Sequence, residues 1–278
     1  MGGHSDIAVH VVDPPVRGEQ ATGCLADFRG AGVAYAAPVP DDPKSFFLSA
    51  ALQGYLLDHC ARPDDVQQWL IDETRSKVSD LSIMQISPEQ GAFMTILTRV
   101  LGVRSAVEVG TFTGYSALCI ARGLADGGRL LCCDVSEEWT AIGRDAWSRA
   151  GVDDRIELTI APAIETLRAL PTEPTIDLAF IDADKPSYPA YFEELVPRLR
   201  PDGVLLVDNT LWSGAVIDQK VTDENTEAIR AFNDMVASDA RVESTILTLG
   251  DGLTLARKRC LRARSSRSRA GPGRSPIR

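Results

Sequence analysis

No apolar run in the sequence approaches the roughly 18 residues that a bilayer-spanning helix needs. The one early apolar stretch, IAVHVV from Ile7, is short and has no basic leader, so it does not read as a secretory signal. The expectation is a cytoplasmic protein with no membrane partner. The six cysteines (Cys24, Cys60, Cys119, Cys132, Cys133 and Cys260) show no CxxC spacing, and three sit inside apolar stretches. Buried reduced thiols, not a disulfide framework, are expected. Histidine is scarce too. His4, His10 and His59 all precede the alternating strand-and-helix region described below, so hydrolase chemistry that depends on a histidine base has no base there. A GxGxxG dinucleotide fingerprint is also missing.

What is present is an ordinary globular composition, 44% hydrophobic and 24% charged, with 278 residues to build one large domain or two small ones. The net charge of −10 is unevenly spread. Arg257 to Arg278 holds nine Lys and Arg and no acid, which leaves 20 basic against 39 acidic residues elsewhere, a balance of −19. So acidic a body repels phosphate backbones and argues against nucleic acid as a partner. The tail RARSSRSRAGPGRSPIR has too little apolar content to pack and reads as a basic disordered segment, residues 259–278. Residues 1–44, with the proline-bearing stretches DPP, APVP and DDP, read as a poorly ordered extension.

Between these ends, residues 45–258 read as one domain. Phe47, Leu48, Ala51, Leu52, Tyr55 and Leu56 recur at helical spacing, and a second helix is expected from an N-cap at Asp64 to about Val78. From Ser105 onward short apolar strands alternate with helices: 105–109, 129–135, 155–160, 176–181 and 203–208, with helices such as 115–124 and 137–150 between them. Near-continuous apolar strands separated by amphipathic helices indicate a parallel sheet covered on both faces. Two last strands, about 242–249 and 252–258, meet at Gly250-Asp251-Gly252, a turn too tight for a parallel crossover. The expected fold is α/β and Rossmann-like: seven strands, mostly parallel, ending in an antiparallel hairpin.

Ligands of such sheets bind beyond the carboxyl ends of the strands. The first strand ends in VEVGTFTGYS, with Glu108 at its end and Gly110 and Gly114 bracketing a loop that opens a helix. Taken alone, the glycines mark only a strand-to-helix turn. Together with Asp134, which ends the second strand and can accept both hydroxyls of a ribose, they indicate a nucleoside site without a phosphate cradle. The fourth strand ends in IDADK and the fifth in VDNTLW. If those strands are neighbours, Asp182, Asp208 and Asn209 share one sheet edge. Two carboxylates and a carboxamide suit Mg²⁺, Ca²⁺ or Mn²⁺ rather than zinc, though each residue could also merely cap a turn. Asp184 reads as such a cap. Lys185, three residues from Asp182 and partly desolvated beside a cation, is a candidate base or simply a solvated charge.

The stretches SPEQGAFM (87–94), VEVGTFTGYS (107–116), DLAFIDADKPSY (177–188), DGVLLVDNTLWSGAV (202–216) and LGDGLTLARK (249–258) resemble the metal-dependent O-methyltransferases of the caffeoyl-coenzyme A and catechol group. The resemblance covers roughly Ser45 to Lys258. It implies S-adenosylmethionine as methyl donor and a divalent cation, Mg²⁺ foremost. Met84, Glu108, Gly110, Ser116, Asp134, Ala163 and Asp182 would meet the cofactor. Asp182, Asp208 and Asn209 would hold the metal, and Asp182 and Lys185 would be catalytic. Trp212 and Tyr188 are candidate aromatic walls for a small phenolic substrate, with the helices of 45–78 and the loop 212–222 as lids. A homodimer is implied as well. Ile86 stands where plant members often have threonine, and the loop after Val216 lacks their longer basic pattern, which favours a smaller free phenol over a coenzyme A thioester. The alternatives are an adenosine-binding regulator without methyl transfer, and a methyltransferase acting on a non-phenolic acceptor.

Overall fold

The computed structural model describes residues 50–260. Phe47 and Leu48, the two terminal extensions and Cys24 lie outside them.

Helix α1 (Ala50–His59) is followed by α2 (Asp65–Val78). Asp64 starts α2 as the sequence suggests: its Oδ1 accepts from the amides of Val66 (3.1 Å) and Gln67 (3.0 Å), and the Gln67 side chain accepts from the Asp64 amide. This reciprocal box satisfies amides that helix geometry leaves free, a gain of about 1 kcal/mol. Tyr55, in the helix that the spacing predicts, is 61% exposed and stacks on His59. A 3-10 turn (Ser79–Met84) leads to α3 (Pro88–Val100), whose proline occupies a first-turn position where no amide is needed.

The remainder alternates: β1 (Ser105–Val109), α4 (Tyr115–Gly123), β2 (Arg129–Asp134), α5 (Glu137–Arg149), β3 (Ile156–Ile160), α6 (Ala163–Ala169), β4 (Ile176–Ile181), α7 (Tyr188–Arg198), β5 (Leu199–Val207), α8 (Glu224–Ser238), β6 (Val242–Leu247) and β7 (Leu253–Lys258). The sheet runs β3-β2-β1-β4-β5-β7-β6. Pairing from β3 through β5 is parallel, and β7 is antiparallel to both β5 and β6. The expected seven-stranded α/β fold is present. β5 starts four residues earlier than its apolar run, because the polar stretch Arg200–Gly203 crosses an irregularity in the pairing with β4.

Two apolar clusters cover the two faces of the sheet. One joins helices α2 through α5, with Leu118 and Trp147 among their side chains, to strand residues that point to that face, such as Ala106, Leu130 and Phe180; the other joins α6, α7 and α8 with Val109, Ile181 and Val207. Cys119, Cys132 and Cys133 are buried free thiols, whereas Cys60 is half-buried and Cys260 exposed. Order reverses between β1 and β4, so their carboxyl ends flank the crevice where such sheets take ligands. Among the described residues, no helix is long and apolar enough to cross a membrane.

Candidate active site

Glu108 is wholly buried at the end of β1. Its Oε2 accepts from Thr111 Oγ1 (3.0 Å) and Cys132 Sγ (3.4 Å), but Oε1 has no partner. Burial pushes its carboxyl up to about 7, against the pull of donors from Ser116, Cys132 and Thr111, and the nearby Asp182 charge adds to the rise. A buried carboxylate with one orphaned oxygen is a ready acceptor for a cationic or hydroxyl-bearing ligand.

Gly110 has φ +85°, and any side chain there would run into the Asp182 carbonyl. Its first duty is therefore to let the β1 loop pass close to β4. Gly114 (φ +80°) opens α4, and its carbonyl accepts from the Trp147 indole at 3.0 Å. Asp134 has a folding role that the sequence did not suggest. Its Oδ2 accepts from the amides of Thr111 and Phe112, both at 2.8 Å, and its Oδ1 from the Ser136 amide at 2.8 Å. The carboxylate thus shapes the loop that carries the glycines. Ser116 is buried in the first turn of α4, Ala163 is buried at the start of α6, and Met84 is 47% exposed at the end of the 3-10 turn. A triad of two buried threonines and the half-buried Gln85 ties that turn to the loop: Gln85 donates to Thr74 (3.0 Å) and Thr113 (3.1 Å), and Thr74 donates to Thr113 (2.9 Å).

Because β4 and β5 are neighbours, Asp182, Asp208 and Asn209 do meet at one edge. Lys185 stands among them: Nζ donates to Asp182 Oδ1 (3.2 Å), Asn209 Oδ1 (2.6 Å) and the Tyr188 hydroxyl (2.6 Å). Asp208 accepts from the Asn209 amide (2.7 Å) and from Gln90 Nε2 (2.9 Å). Burial, then the neighbouring Asp182 charge, pushes the Asp208 carboxyl up to about 7. Among the described residues no trio of His, Cys, Asp and Glu forms a metal cluster. The donors here are two carboxylates and an amide oxygen, hard oxygen ligands gathered around an ammonium. That set fits a hard divalent cation.

Tyr188 is fully buried, packs edge-on against Phe232 and reaches the site only through its hydroxyl, so its ring offers no open wall. Trp212 is half-buried with its ring 5.6 Å from Lys185 Nζ. Asp184 accepts from the Tyr191 hydroxyl (2.7 Å) and does not join the cluster through any hydrogen bond. Two contributors escaped the sequence reading. Gln90 touches Asp208 across 118 positions of chain. Asp251, in the hairpin turn, accepts from the Ser213 amide (2.5 Å), and burial raises its pKa. Only their SPEQG and GDG contexts hinted at either.

The sheet order, with its antiparallel β7 between β5 and β6, is the Rossmann-like topology of class I methyltransferases. A family model described as O-methyltransferase matches residues 58–259. The chain is 39% identical over 212 residues to the "Probable caffeoyl-CoA O-methyltransferase 1" of Dictyostelium discoideum, covering 75% of this chain and 92% of that one. It is 34% identical over 229 residues to the caffeoyl-CoA O-methyltransferase of Populus kitakamiensis, covering 78% and 97%. The crystal structure of an O-methyltransferase from Bacillus cereus in complex with SAH matches with a TM-score of 0.68 at 33% identity, over 75% of this chain and 97% of that one. The protein belongs to the caffeoyl-CoA O-methyltransferase-like family of S-adenosylmethionine-dependent O-methyltransferases.

Proposed function

We propose that the protein methylates one hydroxyl of a small catechol-like acceptor with the help of a divalent cation, Mg²⁺ foremost. The observation that carries this reading is the cluster of Asp182, Asp208 and Asn209 around Lys185. A pair of adjacent hydroxyls matches a cation whose remaining positions are open, whereas a lone hydroxyl does not.

S-adenosylmethionine supplies an activated methyl group. Glu108, with its orphaned oxygen, would accept from the donor's polar end, and Ser116 would assist at the first turn of α4. Gly110 and Ala163 bring backbone close to the crevice, Asp134 would meet the ribose, and Met84 would border the methyl. Asp182, Asp208 and Asn209 would hold the cation, which lowers the pKa of a bound phenol from about 10 and so makes a phenolate accessible near neutrality. Lys185, in its neutral amine form, would take the phenolic proton at Nζ and become the ammonium that Asp182, Asn209 and Tyr188 hold. Tyr188 is suited to carry that lysine: burial holds its phenol well above the ordinary value, so the hydroxyl stays protonated, accepting from Lys185 and donating to the Asp208 carbonyl (3.3 Å). Trp212 would cover the ring of the acceptor. With donor and acceptor fixed at one sheet edge, most of the acceleration is orientation.

The test is methyl transfer from S-adenosylmethionine to vicinal dihydroxy aromatics and matched monophenols, with Mg²⁺ or with chelator, read by product mass. A gain of one methyl on catechols only, abolished by chelator, is expected. Equal transfer to monophenols, or full activity in chelator, overturns the reading. The catalytic domain is assigned to residues 45–258 and the assembly to a homodimer, which sedimentation of the full chain checks.

A further inference from the structure

We infer that Arg230 on α8 is a positioning residue for acceptor selection: it clamps the segment after Trp212 into a preformed wall. This rests on the acceptor lying beside Lys185 and Trp212.

The segment 209–217 is bent sharply. Asn209 (φ +59°), Trp212 (φ +48°), Ser213 (φ +50°) and Gly214 (φ +83°) are left-handed, and three of them carry side chains that disfavour that region. Such a backbone persists only where its surroundings determine it more than once. On one side the hairpin turn does so, with the amides of Thr210 (2.9 Å) and Leu211 (3.0 Å) donating to the Gly252 and Asp251 carbonyls and Ser213 donating to Asp251.

On the other side the work falls to α8. Arg230 donates from Nε to Val216 O (3.0 Å), from Nη1 to Val221 O (2.8 Å), and from Nη2 to Ala215 O (2.8 Å) and Asp218 O. Glu227, one turn earlier, accepts from Nη1 at 2.7 Å. Asn233, three residues on, donates to Thr210 O at 2.8 Å. One planar guanidinium therefore ties together four carbonyls of the segment 215–221, two of which (Ala215 and Asp218) also accept a backbone amide. Lysine has neither the fork nor the number of donors to replace it.

The consequence is functional because the clamped segment begins at the indole nearest Lys185. Trp212 and Val216 pack against the core face that α8 shares, so their positions follow the clamp. The sequence suggested a mobile lid over 212–222; the clamp makes it a fixed wall that decides which acceptors fit.

The experiment compares wild type with Arg230→Gln and Arg230→Lys. Lys220 is exposed inside the clamped segment, so tryptic cleavage after it reports local opening. We expect cleavage about tenfold faster in Arg230→Gln and intermediate in Arg230→Lys, with the acceptor KM raised about tenfold, kcat changed less and the Kd for S-adenosylmethionine unchanged. Unchanged cleavage overturns the clamp. Faster cleavage with an unchanged acceptor KM overturns its role in selection, as does a parallel loss of cofactor affinity. If Arg230→Gln does not fold, Arg230→Lys is read by the same criteria. Absence of transfer to any catechol by wild type sinks the acceptor reading, while the cleavage rates still judge the clamp.

Discussion

Glu108 is, with Asp208, one of two buried carboxyls whose ionisation costs the fold. Its carboxyl titrates near 7 when folded and near 4.5 when exposed, so the folded chain holds an extra proton between those values. Stability from this group is greatest below about pH 4.5 and falls as pH rises toward 7. Thermal melts of the ligand-free protein should therefore drop between pH 5 and 7.5, and Glu108→Gln should reduce that slope to the part Asp208 contributes while weakening cofactor binding at least tenfold. A slope unchanged in the variant would assign the effect elsewhere. Gln90 makes the complementary case. It is almost fully buried and fixes one oxygen of Asp208, so Gln90→Leu leaves that oxygen without its donor. Outer contacts of this kind typically change metal affinity by about 10- to 100-fold. Titration calorimetry with Mn²⁺ should show at least the lower figure, with cofactor affinity unmoved; an unchanged Mn²⁺ affinity removes Gln90 from the site.

At the scale of elements, the loop between β1 and α4 is where backbone geometry and chemistry meet. Gly110→Ala incurs about 1–2 kcal/mol for the left-handed φ alone, and the added methyl also strikes the Asp182 carbonyl, which other residues cannot easily vacate. Gly102→Ala is the control, with φ +61° and open space around it. Denaturant unfolding should show a loss of about 1 kcal/mol at Gly102 and several times that at Gly110; equal losses would mean that the loop yields more than the close approach implies. The elements themselves were largely legible beforehand. The strands at Ser105–Val109 and Ile176–Ile181 are apolar runs whose ends coincide with acids, and Asp64 announces its helix by local chemistry alone. What local chemistry could not reveal depends on distant partners. The left-handed Trp212 and Ser213 have no sequence signal, the Arg230 contacts need the path of the loop, and the hold of Asp134 on the amides of Thr111 and Phe112 shows only once the loop is folded.

The whole molecule sets an acidic body against a basic end, and the two suggest different reasons for the tail. If the nine basic residues from Arg257 onward recruit an anionic partner, removing most of them should alter what the enzyme associates with but not its turnover. If they screen the body, removal should show in the salt dependence of the reaction, because exposed charges interact over only about 8 Å at physiological ionic strength. The family match, residues 58–259, ends before most of that charge begins. A chain limited to residues 45–259 should therefore keep kcat/KM within about twofold of the full chain at 0.15 M salt. Below about 0.02 M salt, where screening weakens, any difference confined to KM for an anionic acceptor would identify the tail as an electrostatic aid. A loss of kcat at every salt concentration would instead place part of the working site outside residues 45–259, and would extend the catalytic unit into the flanking sequences.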